Sequence, residues 1–221
     1  MPSRLVNSSV VVVANDVNLS IFKPPWLLRN GILLEAELEG EILLSPVTVQ
    51  VPTEHFVLGV MPNRIQLELP REYEKAGQDV QRVVGGIVRT LPHTPYNAVG
   101  INFHYEVDPP GSEPFAAWNR RVCASPLAER IAPAGDGARY GFYVSFDAMD
   151  ARLKMDVKPI TRKQSGPDAR EQAAEEHLAV NMNFHRDLID PNSVVDDLVT
   201  ALDARSQALA MSQDIASAWD G

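Results

Sequence analysis

Apolar residues in the first third of the chain recur with the period of two that a half-buried strand requires. Val47, Val49 and Val51 alternate with Thr48 and Gln50, and Ile65, Leu67 and Leu69 alternate with Arg64, Gln66 and Glu68. The β-branched run Val10–Ala14 adds a strand. Ile32–Leu38 and Glu41–Leu44 read as two more, joined by a turn at Glu39-Gly40. Met61-Pro62-Asn63 closes a hairpin between Phe56–Val60 and Arg64–Leu69. Lys23-Pro24-Pro25-Trp26-Leu27-Leu28 reads as irregular, because proline donates no hydrogen bond, with Trp26 pinning the segment onto the core.

The period then changes. Val80, Val83, Val84, Ile87, Val88 and Leu91 form one apolar stripe at helical spacing, which predicts a helix over 78–91 ended by Pro92 and Pro95. Gly85-Gly86 interrupts the stripe and predicts close backbone packing. A phosphate loop would need a lysine and a preceding strand-to-helix turn. A second helix runs from Pro114 to Ala124. The last begins at Asp190 or Ser193, where Ser193 and Asp196 resemble a capping box. Its stripe is Val194, Val195, Leu198 and Leu202, continued more loosely by Leu209, Met211, Ile215 and Trp219. Asp196, Asp197, Asp203 and Arg205 read as its solvated side.

The most informative pattern is a repeat. Ala98–Val107 aligns without a gap to Ala179–Leu188, offset by 81 residues, with five identities that include Asn-Phe-His and three conservative replacements. Phe142–Phe146 and Leu153–Val157 repeat the hairpin at 56–69, and a proline-marked turn follows each Asn-Phe-His strand, at Asp108-Pro109-Pro110 and at Asp190-Pro191. In the second unit a short polar helix is expected over 168–177. The expectation is an α+β protein made by internal duplication of a β-β-α-β-α unit. Its sheets would be antiparallel-rich, with helices covering one face and a pseudo-twofold between the copies. The halves are residues 1–111, the N-terminal strands plus the first repeat, and 112–221, the linking helix, second repeat and C-terminal helix. They form two units or one compact domain.

Strand alternation puts Asn102, His104 and Glu106 on one side of the first strand and Asn183, His185 and Asp187 on one side of the second, opposite the apolar rows. These six are the candidate binding residues. Three readings stay open: the wet side of a sheet, a groove or oligomer interface, or an acid–base or metal site. Imidazole and carboxylate suit zinc, iron or manganese, and any metal would fall to His104, Glu106, His185 and Asp187, provided the two strands are neighbours. His55, His93 and His177 read as surface or capping groups. No catalytic residue is assigned, no nucleotide-binding or hydrolase signature occurs, and no cofactor is expected.

Composition narrows the partners. Lys and Arg number 20 against 29 Asp and Glu, a formal charge of −9, which argues against nucleic acid in the absence of a basic stripe. The single cysteine, Cys123, lies at a packing position and reads as an inert buried thiol. No apolar run approaches membrane-spanning length and no leader pattern occurs, so the cytoplasm is the expected location. The favoured role is a non-enzymatic binding or assembly protein that presents a sheet face or its C-terminal helix to a protein partner or to itself. Alternatives are a metal-dependent or acid–base enzyme using the histidine rows, and a small-ligand sensor with a pocket between the repeats.

In layout the chain resembles an uncharacterised, sporadically distributed family of bacterial proteins. The family opens with a proline-containing strand region, carries a central strand of the type Gly-Leu-Arg-Tyr-x-Asn and ends with a strand and a long helix. Gly100-Ile101-Asn102-Phe103 stands at the central strand, with Asn102 where the family has arginine, and Asn183-Phe184-His185 followed by 190–219 stands at the close. The resemblance implies a fold and carries no activity.

Overall fold

In a computed structural model, residues 3–126, 130, 137–162 and 175–219 are described. Nine strands lie there: β1 (Ser3–Ala14), β2 (Leu43–Leu44), β3 (Val49–Pro52), β4 (Val57–Met61), β5 (Arg64–Leu69), β6 (Tyr96–Val107), β7 (Phe142–Ala148), β8 (Ala151–Arg162) and β9 (Glu175–Asp187). All belong to one antiparallel sheet in the order β2-β3-β4-β5-β1-β6-β9-β8-β7. Five helices accompany it among the described residues. They are α1 (Pro24–Arg29), α2 (Ala76–Val80, continuing through a π-helical stretch, Gln81–Gly85, into Gly86–Thr90), α3 (Phe115–Cys123), α4 (Val194–Asp203) and α5 (Arg205–Ser217). The chain is therefore α+β. No helix among the described residues is long and apolar enough to cross a membrane.

Among the described residues the helices cover one face of the sheet. Val10, Val12, Ile65, Leu67, Leu69, Ile101, Phe103, Leu153, Val157, Val180 and Met182 are buried on it beneath the helices. The alternate residues Ser9, Val11, Asn102, His104, Asn181 and Asn183 are only half-buried on the other face. Because side chains alternate with period two, this split fixes the register of every strand, since a one-residue slip would turn the whole apolar row to water. Helix α2 packs on β5, α4 and α5 pack on β6, and α5 also reaches β9.

Several expectations need correction. The two prolines at 24 and 25 do not prevent regular structure. They occupy the first positions of α1, where a missing N–H costs nothing, while Trp26 lies edge-on to Phe22 at 5.5 Å and packs against the core. Ile32–Leu38 is not a strand. Its end forms a 3-10 turn, Glu35–Glu37, and Glu37 accepts the Leu34 N–H and the Arg82 guanidinium, which also donates to the Ile32 carbonyl. Of Glu41–Leu44, only Leu43–Leu44 is a strand. Of the helix expected over 168–177, Glu175, Glu176 and His177 instead begin β9, paired with Arg162, Thr161 and Ile160. The rest of that segment lies outside the described residues. At Gly85-Gly86 the neighbours are side chains: a Cβ on Gly86 would make an ordinary 3.4 Å contact with Ile32, and one on Gly85 would meet the ends of Arg89 and Gln81 at 2.9 Å. The single long terminal helix is two helices meeting at Ala204. Ser193 donates its hydroxyl to Asp197 at 2.6 Å rather than capping through Asp196.

One sheet runs through both 1–111 and 112–221. The two strand groups are laid out differently, however: β8 lies directly against β9, whereas β1 stands between β5 and β6.

Candidate functional site on the open face

The two Asn-Phe-His strands are neighbours. β6 and β9 pair antiparallel with Asn102 opposite Asn183, Ile101 opposite Phe184, Phe103 opposite Met182 and His104 opposite Asn181. Residues directly opposite share a face, so both polar rows emerge on the uncovered side. At the centre, Asn183 Nδ2 donates to Asn102 Oδ1, and Asn102 Nδ2 donates to Ser9 Oγ on β1 at 3.2 Å. This is a relay of uncharged groups across three strands. Next to it, His104 Nδ1 shares a hydrogen with Asn181 Oδ1 at 2.6 Å. An amide oxygen only accepts, so Nδ1 is the donor in this bond. Gly100 makes room for the relay, because a Cβ there would stand 2.8 Å from Asn183 Nδ2. The result is a shallow hollow of about 390 Å³ floored by Asn102, His104, Asn181 and Asn183.

Antiparallel pairing sends the rest of each row in opposite directions. His185 faces Gly100, four positions along the ladder from His104, a separation of about 13 Å. Asp187 faces Ala98, eight positions from Glu106, about 27 Å away. The metal set His104, Glu106, His185 and Asp187 is therefore not assembled, and each His keeps its own partner: Asn181 for His104, Asp187 for His185 at 3.0 Å. No group of three or more His, Cys, Asp or Glu placed to hold a metal occurs among the described residues.

The two carboxylates differ sharply. Glu106 is 2% exposed, so its placement on a wet face is corrected: Arg4 donates to Oε2 at 2.7 Å and Arg162 approaches the other oxygen. The Asp187 side chain is 72% exposed, and among the described residues its one ion pair is with His185. His177, read as a surface or capping group, keeps 13% of its side-chain exposure and bonds Asp108.

On the covered face the polar chemistry is different, and sequence reasoning missed it. Arg205, expected in solvent, is 3% exposed. It binds Glu72 with two nitrogens at 3.0 and 2.7 Å, donates to Ser8 Oγ at 2.9 Å and lies 5.7 Å over the Phe103 ring. Tyr105 bonds Ser212 at 2.8 Å, and burial pushes its phenol up. The signal was present. Helical spacing through Leu198 and Leu202 continues to Arg205, Ala208, Ser212 and Ala216, all buried, and not to the larger apolar residues of the tail. Cys123 is buried as expected, and burial pushes its thiol up to about 11, away from thiolate chemistry at neutral pH. A cavity of about 280 Å³ lies between the β6–β9 floor (Val99, Ile101, Phe184) and the α4–α5 junction, with Arg186 on its rim.

What the centre of the open face offers is uncharged hydrogen bonding, amides and an imidazole, half-exposed, flanked on the same face by Glu68 opposite Ser9 and by Lys154 and Asp156 opposite Asn183 and Asn181. Comparison with family models, with curated proteins and with solved structures found no match.

Proposed function

We propose that the protein is a non-enzymatic binding or assembly protein, and that the face it presents is the open side of the β6–β9 ladder. The observation that carries this is the relay Ser9–Asn102–Asn183 with the adjoining His104–Asn181 pair, in the middle of the uncovered sheet. Half-exposed neutral groups exchange their hydrogen bonds for those of a partner at little desolvation cost. A shallow, open surface of this kind suits a protein better than an enclosed small molecule. The C-terminal helix is the weaker candidate, since Arg205, Ala208, Ser212 and Ala216 commit one of its sides to the core.

The same reading takes the two strands as the meeting line of a duplicated β-β-α-β-α unit. In support, Asn102 and its repeat counterpart Asn183 face each other, and the flanking pairs Ile101–Phe184 and Phe103–Met182 exchange counterparts across that point. A twofold between copies would produce this pattern, with β1 an addition to the first copy. We further take the cytoplasm as the site of action, in line with a lone unpaired thiol.

Photo-crosslinking in the producing cell tests the face. A photoreactive residue at exposed Asn7, which lines the hollow without belonging to the relay, is expected to trap discrete protein adducts that the same residue at exposed Lys75, on the helical side, does not. Adducts from Asn7 should disappear when His104→Glu places a charge beside the relay. Identical adducts from both positions, or none from Asn7, would contradict the assignment.

A further inference from the structure

The sheet ends in two unlike edges. β2 is two residues long, a brevity that protects an edge from pairing with other chains. β7, at the other end, is seven residues long, Phe-Tyr-Val-Ser-Phe-Asp-Ala, with no proline, no lysine and one charge. Tyr143 is 61% exposed, and Val144 and Phe146 are exposed at 37% and 38%. Among the described residues no strand pairs with its outer side.

The hairpin dictates which backbone groups that outer side offers. Met149 and Asp150 both have positive φ, 51° and 55°, and join Ala148 to Ala151 as a two-residue turn. In such a hairpin the pair flanking the turn exchanges both hydrogen bonds, and every second pair repeats this. Ala148, Phe146, Val144 and Phe142 are therefore bonded to β8, while Asp147, Ser145 and Tyr143 aim their N–H and C=O groups outward. The Ser145 carbonyl bears this out, for it accepts not from the β8 backbone but from the Arg152 side chain, Nη2 at 3.0 Å.

We infer that β7 pairs antiparallel with β7 of a second copy of this chain, centred on Ser145, so that two nine-stranded sheets join edge to edge. The register follows from the strand itself. Ser145 is the midpoint of Phe142–Ala148, so this alignment overlaps the full strand, and it matches outward-facing residues with outward-facing residues. On one face Tyr143 comes opposite Asp147 of the partner subunit, where a phenol O–H can donate to a carboxylate. On the other face Val144 comes opposite Phe146 of the partner subunit, covering apolar surface that is otherwise in water. Arg152 gives up the Ser145 carbonyl but retains Ser145 Oγ at 2.7 Å and Asp147 at 2.9 Å. The twofold axis stands perpendicular to the sheet, so both open faces look the same way. Binding at β6–β9 lies inward of this edge and does not depend on it.

Sedimentation velocity of the full chain over a concentration series tests the pairing. Wild type is expected to show a monomer–dimer equilibrium, and Arg152→Ala, which frees the Ser145 carbonyl, to tighten it severalfold. Ser145→Pro removes an outward N–H and the Ser145 hydroxyl that Arg152 binds, without touching the β7–β8 backbone ladder, and is expected to abolish the dimer while the circular dichroism spectrum is kept. Tyr143→Lys and Tyr143→Asp lose the same ring but meet Asp147 of the partner subunit with opposite charges. The Asp variant should dimerise at least tenfold more weakly than the Lys variant. If Ser145→Pro does not fold, this exposed pair decides alone. Wild type and Arg152→Ala monomeric throughout, an undiminished dimer in folded Ser145→Pro, or equal dissociation constants for the two Tyr143 variants would each overturn the inference.

Discussion

The β6–β9 ladder is one backbone with two chemistries. On its covered side Phe103 meets Phe184 edge-on at 6.1 Å, and the buried Arg205 closes over Phe103 while gripping Glu72. On its open side, one residue along, Asn102 meets Asn183 and no charge is involved. The difference teaches which polar groups serve the fold and which are free to serve a partner. A charge taken out of water must keep its counter-charge, because losing one member strands the other. A half-exposed amide trades its partner for water at small cost. The covered side is thus fixed, and the open side is exchangeable.

The sharpest way to break this comparison is Arg205→Ala. It removes two bonds to Glu72, one to Ser8 and the guanidinium contact over Phe103, together with a buried aliphatic stem. Loss of one member of a buried pair costs about 3–5 kcal/mol. Since the Glu72 side chain keeps 25% of its exposure, the low end of that range is expected in urea denaturation. Arg205→Met, which keeps the stem, should recover part of it. A change under about 1 kcal/mol would show that the covered side is no more fixed than the open one.

Gly100→Ala comes second and acts from the open side. The added methyl would stand 2.8 Å from Asn183 Nδ2, so the Asn102–Asn183 bond must yield or the strand must shift, at a cost of about 1–2 kcal/mol. Adding Asn183→Ala should return most of it, and the size of that return measures how much of the cost belongs to the amide. If the double variant is no more stable than Gly100→Ala alone, the clash lies in the backbone and the open side is as rigid as the covered one.

How much of this was legible depended on how local its cause is. Period two revealed the hairpin at β4–β5 and the faces of β6 and β9, because alternation is imposed by the pleat itself. The likeness of Ala98–Val107 to Ala179–Leu188 singled out the two strands that meet at the centre of the candidate face. Their direction was not legible, and direction decides the chemistry: it brings Asn102 to Asn183 while carrying His104 away from His185. Arg205 was misjudged because charge was weighed above spacing. Its counter-charge, Glu72, lies 133 residues away in sequence. Glu106 was misjudged for the same reason, since its partners Arg4 and Arg162 come from the far ends of β1 and β8. Long-range compensation of a buried charge leaves no mark in the neighbouring residues.

The smallest effect on stability is expected where the effect on binding is largest. Asn102→Ala with Asn183→Ala removes both side chains of the central amide pair, so neither amide is left unsatisfied. Deleting both partners of a half-exposed hydrogen bond is nearly neutral, about 0.5 kcal/mol or less. The covered side is untouched, so the urea midpoint should stay near wild type while crosslinking from a photoreactive residue at Asn7, on the same hollow, falls. A structural amide pair would behave oppositely: the midpoint would drop and any remaining folded protein would still be crosslinked. The two observables thus move apart if the open side serves a partner and together if it serves the fold, and that divergence separates exchangeable polarity from fixed polarity on a single ladder.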